Sequence, residues 1–336
     1  MTSNEQSNVE SNYHEKLTEI ANFLLGWQGP IVLATHVDPD GDAVGSTLTL
    51  NRALKIMGKS TIVSLVVPNF LEFLPQPNEL VPQIDFSLAE SLLITLDAAT
   101  ASRVAGVTME SAKMTINIDH HGTNELFGDY SLIDPNKAAT ALIIKDLVEH
   151  LGVSWNQDLS IPCLTGILTD TGFLTFANTS PDALQAVAAL LSTGLNYAEL
   201  TDRLQWRPKE YYVLLAQVMS TVDFALDDRV ILARVTDQMR SGPGGALLDS
   251  EDFIGLIRYA EGTSIAVLLK ERGTTTKVSI RTRHGVSAQK ICLGLGGGGH
   301  IVAAGATVDA GIDATQDLVL QAIAEELEEA PPNNKQ

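Results

Sequence analysis

The sequence has few cysteines and no long apolar segment. Among its 336 residues only Cys163 and Cys292 are cysteines; they lie far apart, and neither belongs to a C-x-x-C pair. This spacing argues against a disulfide framework and against a structural zinc site. No apolar run reaches the roughly 18 residues that span a bilayer, and the polar start M-T-S-N-E-Q-S is unlike a signal peptide. We therefore expect a cytoplasmic protein without a membrane partner.

Basic charge is also scarce. The chain has 22 Lys and Arg against 41 Asp and Glu, a net charge of -19, which argues against a surface that binds long or double-stranded nucleic acid. The basic residues are unevenly distributed, because residues 254–300 contain seven Lys or Arg and only two Glu. Any polyanionic ligand is therefore expected to bind locally, at this segment.

Short apolar runs alternate with helical patterns through the first two thirds of the chain. Strands are predicted at residues 31–36, 61–67, 92–97 and 114–119, and helices at residues 42–57, 138–151, 158–169 and 181–192. Runs that are apolar on both faces and separated by helices indicate a parallel sheet. We predict an α/β fold with an N-terminal doubly wound parallel-sheet domain and a smaller α/β C-terminal domain, with the active site in the cleft between them.

The predicted domain limits follow changes in pattern. Residues 1–12 and 330–336 are polar and are expected to be loose tails. The catalytic domain is assigned to residues 13–206, a connecting helix to 207–228 and the second domain to 229–329. Within the second domain, residues 229–235, 263–270 and 276–283 are strand-like, and residues 314–329 form an amphipathic helix.

Histidine and aspartate residues follow the predicted strands where each one ends. The motif H-V-D-P-D-G-D occupies 36–42, Asp97 ends one strand, and D-H-H occupies 119–121. Ligand-binding residues of parallel sheets collect at the carboxyl ends of the strands. With Asp170, these side chains form a thiol-free set of oxygen and nitrogen donors, which suits Mn²⁺ or Mg²⁺. Two divalent cations would offset the repulsion among so many carboxylates.

The basic segment ends in the glycine run G-G-G-G-H at residues 296–300, followed by apolar I-V-A-A-G. The run therefore lies within packed structure, and its backbone N–H groups are predicted to form an anion site at a helix start. Arg281 and Arg283 are two residues apart on a strand and thus share a face, where arginine binds phosphate through two hydrogen bonds. His300 is predicted to face the ligand.

These motifs together resemble those of the DHH phosphoesterase family, which includes the RecJ-like nucleases. The glycine run with A-A-G at 303–305 resembles the DHH-associated C-terminal domain, and the resemblance covers residues 14–329. It implies one cation on His36, Asp40 and Asp97, and a second on Asp42, Asp97, His120 and Asp170. Catalysis is assigned to Asp97, His120 and His121, and Asp119 is assigned to orienting a ligand. Substrate binding is assigned to Arg258, Arg281, Arg283, Gly298, Gly299 and His300.

The resemblance also implies a reaction. Compact two-domain members of the family hydrolyse very short oligoribonucleotides and remove the 3′-phosphate of 3′-phosphoadenosine 5′-phosphate, using water activated by two cations and no phosphoenzyme. Mn²⁺ is the expected cofactor, while Mg²⁺ and Co²⁺ stay open. An alternative in the same family is a phosphodiesterase for cyclic di-AMP or linear dinucleotides. A non-enzymatic nucleotide-binding regulator is disfavoured because all six ligand residues are present. The choice between monomer and homodimer stays open, and Asp38 is interpreted as an exposed turn residue.

Overall fold

The computed structural model describes residues 3–81, 84, 86–242, 253–283 and 285–329. The chain divides into two compact units, Met1–Trp206 and Arg207–Gln336. The predicted loose tail at 330–336 lies outside the described residues. Within the described part of the chain, no helix combines the length and apolar character needed to cross a bilayer.

The first unit is built on a five-stranded sheet in which all neighbouring strands are parallel, in the order β2-β1-β3-β4-β5. Its strands are β1 (Ile31–Thr35), β2 (Thr61–Val63), β3 (Leu92–Leu96), β4 (Met114–Asp119) and β5 (Tyr130–Ile133). Its helices are α1 (Ser3–Gly26), α2 (Gly41–Ile56), α3 (Thr140–His150), α4 (Gln157–Asp170), α5 (Pro181–Leu191) and α6 (Tyr197–Gln205). The predicted parallel α/β architecture is confirmed.

The packing departs from the doubly wound prediction in one respect. Among the described residues, the large core joins one face of the sheet to side chains of α1 to α6. The core on the other face combines Val32, Ala34 and Leu93 with side chains from loops and short 3₁₀ turns. These side chains are Ile84, Leu88, Ala98, Val104, Val107, Met109, Ala112 and Phe127. Four prolines between residues 68 and 82 disfavour a helix in the connection from β2 to β3.

Helix α1 begins at Ser3, so most of the segment predicted as a loose tail is helical in the structure. Its later turns bury Leu17, Ile20 and Leu24 in the core. Adding polar turns to a helix that is already anchored costs less than nucleating a new one, because each added residue gains a hydrogen bond. The polar composition of residues 1–12 predicted a loose tail, but the helix in the structure begins at Ser3.

The second unit contains a six-stranded mixed sheet in the order β10-β11-β9-β8-β7-β6, in which only the β7–β8 pair is parallel. Its strands are β6 (Asp223–Ala225), β7 (Val230–Val235), β8 (Ile265–Arg272), β9 (Thr275–Thr282), β10 (Gly298–His300) and β11 (Ala303–Val308). Its helices are α7 (Lys209–Met219), α8 (Asp237–Arg240), α9 (Phe253–Ile257), α10 (Ala288–Gly294) and α11 (Ile312–Glu329).

The predicted connecting helix at 207–228 is shorter in the structure. It ends at Met219, and Asp223–Ala225 pairs with β7 as an edge strand. Three consecutive residues from Leu226 to Asp228 have positive φ and close the turn into β7. The apolar residues after Met219 therefore complete a hairpin rather than prolonging the helix.

Candidate active site

Three adjacent strands deliver the predicted site residues to one edge of the parallel sheet. His36 follows β1, Asp97 follows β3, and His120 and His121 follow β4, and these strands are neighbours in the order β1-β3-β4. Their carboxyl ends therefore meet, as expected for the ligand-binding edge of a parallel sheet.

The turn after β1 positions two carboxylates at the start of α2. Asp40 is the N-cap of this helix, and its side chain accepts hydrogen bonds from the backbone N–H groups of Asp42 and Ala43, both at 3.0 Å. Asp42 is fully buried in the first turn and accepts from the backbone N–H of Thr140 at 2.6 Å and of Ala141 at 2.8 Å. The amino end of α3 thus solvates the carboxylate of Asp42.

Asp97 occupies a left-handed backbone conformation, with φ of 56°. This region is unfavourable for a non-glycine residue and recurs at functional sites. The backbone N–H of Asp97 donates to the carbonyl of Ile118 at 2.9 Å, and its Oδ1 accepts from the Thr140 hydroxyl at 3.0 Å. The carboxylate is therefore fixed at the centre of the cluster.

The structure brings the six predicted metal ligands into two groups. His36, Asp40 and Asp97 each offer one donor atom within 4.8 Å of the others, and so do Asp42, His120 and Asp170. Asp97 lies between the groups, because its Oδ2 is 3.6 Å from His36 Nε2 and its Oδ1 is 3.7 Å from His120 Nε2. This is the arrangement that a carboxylate shared by two cations requires.

Backbone carbonyls fix the tautomers of two histidines. Nδ1 of His36 lies 2.7 Å from the carbonyl oxygen of Val37, and Nδ1 of His120 lies 3.2 Å from that of Lys137. Since a carbonyl oxygen can only accept, we assign the proton of each neutral ring to Nδ1. The lone pair of each Nε2 then points toward the carboxylates, as metal coordination requires.

His121 has different surroundings. Its Nδ1 lies 2.7 Å from Oδ1 of Asp119, a fully buried carboxylate that also accepts from the Asn124 amide at 2.6 Å. The hydrogen bond to Asp119 raises the pKa of His121 to about 9, although burial opposes the shift. Without bound cations, His121 therefore favours its protonated form, which suits contact with an anion better than coordination of a cation.

The carboxylates repel one another in the absence of bound cations. Burial, followed by the charges of Asp97 and Asp170, raises the pKa of Asp42 well above its ordinary value. Burial and the charges of Asp40 and Asp97 raise the pKa of Asp170 to about 8. Divalent cations would neutralise this charge, and hard oxygen and imidazole donors are what Mn²⁺ and Mg²⁺ accept. The residues therefore fit the expected cofactor.

The predicted arginines come together in the second unit. Arg258, Arg281 and Arg283 line a small cleft of about 40 Å³ together with Ser264 and Thr282. The register pairs Arg281 with Ala303, and Ala303 with His300, so the side chains of Arg281 and His300 share a face of this sheet. The cleft is a concentrated cationic surface on an acidic protein.

The glycine run is not at a helix start, contrary to the prediction. It follows the end of α10 and continues into β10, so no helix N-terminus contributes to an anion site there. Gly296 has φ of 76° where α10 ends, and a Cβ on Gly297 would lie 2.2 Å from the carbonyl oxygen of Gly305. Gly298 has open space around it, and Gly299 and His300 are exposed. Close packing against β11 therefore explains why part of this run is glycine.

The residues that hold the ligands in place were not predicted from the sequence. Thr140 bonds Asp97 through its hydroxyl and Asp42 through its N–H, and Asn124 bonds Asp119. In the sequence only their positions mark them, because Thr140 lies near the start of the helix predicted at 138–151 and Asn124 follows D-H-H by three residues. Which side chains turn toward the cluster is decided by tertiary packing.

Comparisons with known proteins agree with this architecture. The model of the DHH family, N-terminal domain, matches residues 30–169, and that of the DHHA1 domain matches residues 228–329. The chain is 50% identical over 323 residues to the bifunctional oligoribonuclease and PAP phosphatase NrnA of Thermus thermophilus, which covers 96% of this chain and 97% of that protein.

Two solved structures show the same fold. An exopolyphosphatase-related protein from Bacteroides fragilis has a TM-score of 0.83 at 20% identity, covering 93% of this chain and 96% of its own. RecJ from Thermus thermophilus in complex with Mn²⁺ has a TM-score of 0.51 at 16% identity, covering 94% of this chain and 55% of its own.

Proposed function

The chain belongs to the DHH family, and on that premise we propose that it is a phosphohydrolase for very short oligoribonucleotides and for the 3′-phosphate of 3′-phosphoadenosine 5′-phosphate. The Thermus relative, whose name specifies an oligoribonuclease and PAP phosphatase, supports this proposal because the similarity extends over 97% of that protein. The observation that carries the proposal is the pair of ligand groups that share Asp97 at the strand ends.

We propose that His36, Asp40 and Asp97 hold one cation, and that Asp42, Asp97, His120 and Asp170 hold the other. Mn²⁺ is the proposed metal, supported by the mixed carboxylate and imidazole donors and by the Mn²⁺ in the RecJ structure of the same fold. Bound there, two divalent cations would activate water and would neutralise charge on a phosphoryl group. The ligand preferences of Mg²⁺ and Co²⁺ overlap with those of Mn²⁺.

The protein's own side chains supply the remaining chemistry. His121, held by Asp119, is placed to donate a hydrogen bond from Nε2 to a phosphate oxygen or a proton to the leaving oxygen, because its Nδ1 is already engaged. Asp119 keeps the ring in this orientation and stabilises its positive charge. No nucleophilic side chain is required, so the proposal includes no covalent intermediate.

In the second unit, we propose that Arg258, Arg281, Arg283 and His300 bind another phosphate of the substrate, with Gly298 and Gly299 leaving the backbone open to it. One compact cationic surface suits a substrate with few phosphates. A cytoplasmic location is part of the proposal, in keeping with two buried cysteines that form no disulfide.

A comparison of small substrates tests the proposal. Purified protein with Mn²⁺ is assayed on linear diadenylate, 3′-phosphoadenosine 5′-phosphate and cyclic di-AMP at equal concentrations, and kcat/KM is measured for each. We expect the first two to be hydrolysed and cyclic di-AMP to be the poorest substrate. Preference for cyclic di-AMP would replace the proposal with the cyclic dinucleotide alternative. Failure to hydrolyse any phosphoester would refute both.

A further inference from the structure

His120 depends on a main-chain group for its orientation. Its Nδ1 lies 3.2 Å from the carbonyl oxygen of Lys137, while its Nε2 lies 3.2 Å from Asp170 Oδ2 and 3.7 Å from Asp97 Oδ1. The carbonyl thus favours the tautomer with its proton on Nδ1, which leaves the lone pair of Nε2 directed toward the carboxylates. A small movement of residue 137 would weaken this hydrogen bond, and the His120 ring could then change its tautomer and its orientation.

The side chain of Lys137 is tightly held although it carries a charge. Its ammonium lies 2.7 Å from carboxylate oxygens of Asp146 and Asp182, and the side chain is only 15% exposed. Tyr13 completes the group, because its hydroxyl donates to Asp146 at 2.9 Å and its ring lies 5.2 Å from the ammonium. Helices α1, α3 and α5 therefore all restrain this one residue.

The same segment is tied to a second proposed metal ligand. The side-chain amide of Asn178 donates to the carbonyl of Ala138 at 3.2 Å and to the carbonyl of Asp170 at 3.0 Å. The residues between β5 and α3 are thus fixed on one side by the ammonium of Lys137 and on the other by Asn178. His120 and Asp170, which face each other, are held through this common segment.

We propose that Lys137 is a positioning residue for His120: its ammonium, clamped by Asp146 and Asp182, fixes the carbonyl that selects the metal-binding tautomer of the ring. The proposal rests on the metal site of the proposed function and is independent of the substrate. Loss of the ammonium leaves the carbonyl in the chain but frees it to move. The expected consequence is weaker metal binding.

Lys145 provides a matched control. Its side chain is 14% exposed, and its ammonium lies 3.8 Å from Asp146 and 2.8 Å from Glu149. It therefore shares a partner and a degree of burial with Lys137. Among the described contacts, however, Lys145 makes none with a proposed metal ligand. Lys137→Met and Lys145→Met each remove one positive charge from a similar environment. Only Lys137→Met is expected to loosen the carbonyl that faces His120.

The experiment compares wild type, Lys137→Met, Lys137→Arg and Lys145→Met. Calorimetric titration of each metal-free protein with Mn²⁺ gives the affinity, and ¹⁵N-histidine NMR of the metal-free protein gives the tautomer of His120, assigned with His120→Gln. We expect Lys137→Met to weaken Mn²⁺ binding by roughly 10- to 100-fold and to mix the tautomers. Lys137→Arg should recover most of the affinity, and Lys145→Met should resemble wild type.

Unchanged affinity and an unchanged tautomer in a folded Lys137→Met protein would overturn the proposal, as would equal losses in the two methionine variants. If Lys137→Met does not fold, Asp182→Asn replaces it in the experiment, because this variant removes one exposed partner of the Lys137 ammonium. A His120 tautomer and a Mn²⁺ affinity like those of wild type in Asp182→Asn would then count against the proposal. The readouts require no turnover. An inactive wild type that still shows these shifts would refute the proposed substrates and leave the positioning role intact.

Discussion

His120 and His121 are neighbours in the chain, yet their different partners assign them to different tasks. The Nδ1 of His120 faces a carbonyl and its Nε2 faces three carboxylates, whereas the Nδ1 of His121 faces the carboxylate of Asp119. A neutral ring with a directed lone pair suits a cation, and a charged ring suits a phosphate. We therefore propose that the two histidines contact groups of opposite charge, His120 a cation and His121 a phosphate.

Replacing each histidine by glutamine should separate these tasks. We expect His120→Gln to lower both Mn²⁺ affinity and kcat, because a ligand is lost. We expect His121→Gln to keep the Mn²⁺ affinity of wild type while kcat falls by about 10²- to 10⁴-fold, the usual contribution of a positioned acid or base. Calorimetry and steady-state kinetics measure the two effects. Equal losses of Mn²⁺ affinity in both variants would contradict the assignment.

Asp38 supplies a control within the same turn. It is exposed and has φ of 54°, a left-handed conformation that asparagine tolerates as well as aspartate. Asp38→Asn removes one negative charge near the cluster without straining the backbone. We expect kcat and Mn²⁺ affinity within about twofold of wild type, less than 0.5 kcal/mol at RT ln 2, because surface substitutions have small effects. A tenfold loss would place Asp38 among the ligands.

At the scale of elements, the close packing of α2 against α4 brings the carboxylates together. A Cβ on Gly45 would lie 2.3 Å from the carbonyl oxygen of Pro162, and a Cβ on Gly166 would lie 2.7 Å from Oδ1 of Asp42. The two helices therefore touch through their backbones. This contact places Asp42, in the first turn of α2, beside Asp170 at the end of α4.

Gly45→Ala should push the two helices apart. We expect a loss of about 1–3 kcal/mol in the free energy of unfolding, typical of an overpacked core, together with weaker Mn²⁺ binding. Gly26→Ala is the control, because Gly26 ends α1 with no atom within 4 Å of the added Cβ. That variant should match or slightly exceed the stability of wild type in urea unfolding. A Gly45→Ala protein of unchanged stability would contradict the backbone contact.

A buried ion pair secures the opposite end of α2. Arg52 donates to both carboxylate oxygens of Glu79, at 2.8 and 2.7 Å. Arg52 also lines a cavity of about 380 Å³, together with Phe73 and Arg203. Burial disfavours the charged form of Glu79, but the hydrogen bonds and the positive charge of Arg52 outweigh burial and lower its pKa.

The sign of this pKa shift predicts how stability depends on pH. Because the folded pKa of Glu79 lies below its ordinary value of 4.5, the pair stabilises the fold fully above pH 4.5 and loses this effect as pH falls through the folded pKa. Glu79→Gln should cost about 3 kcal/mol at pH 7 and progressively less in acid. Urea unfolding from pH 7 to pH 3 measures the difference. A difference independent of pH would contradict the account.

At the scale of the whole molecule, the net charge of -19 and the local basic cleft favour short substrates. In the proposed function, phosphates that extend beyond the cleft would meet a chain whose other charged residues are mostly acidic, so each additional nucleotide would add repulsion instead of binding. We expect kcat/KM to fall from a dinucleotide to an RNA of about twenty nucleotides, with little salt dependence for the dinucleotide because few phosphates are contacted. Gel assays at two salt concentrations measure this. Efficient cleavage of the long RNA would contradict it.

Much of this architecture was predictable because its signals are local. The buried strands around Val32, Leu93 and Ile116 are short segments rich in apolar residues, and the ligands follow them directly in the sequence. Three strands that end in His or Asp were enough to indicate a site at one sheet edge. The structure places all six predicted ligand residues in the two groups.

The remaining features depend on tertiary contacts that the sequence pattern does not reveal. The strand Tyr130–Ile133 is short and lies at the sheet edge, and Gly297 is glycine because β11 passes close to it. Lys137, Thr140 and Asn178 reach the site through hydrogen bonds between distant segments. Such contacts have no periodicity, so only the folded structure identifies them.

We propose, above all, that one chain uses two cations that share Asp97. The most direct measurement is the rate of diadenylate hydrolysis during stepwise addition of Mn²⁺ to metal-free protein held well above the metal Kd. The account predicts that the rate reaches a plateau at two equivalents of Mn²⁺ per chain, and that Asp97→Asn gives no such plateau. A plateau at one equivalent, or full turnover without added metal, would contradict it.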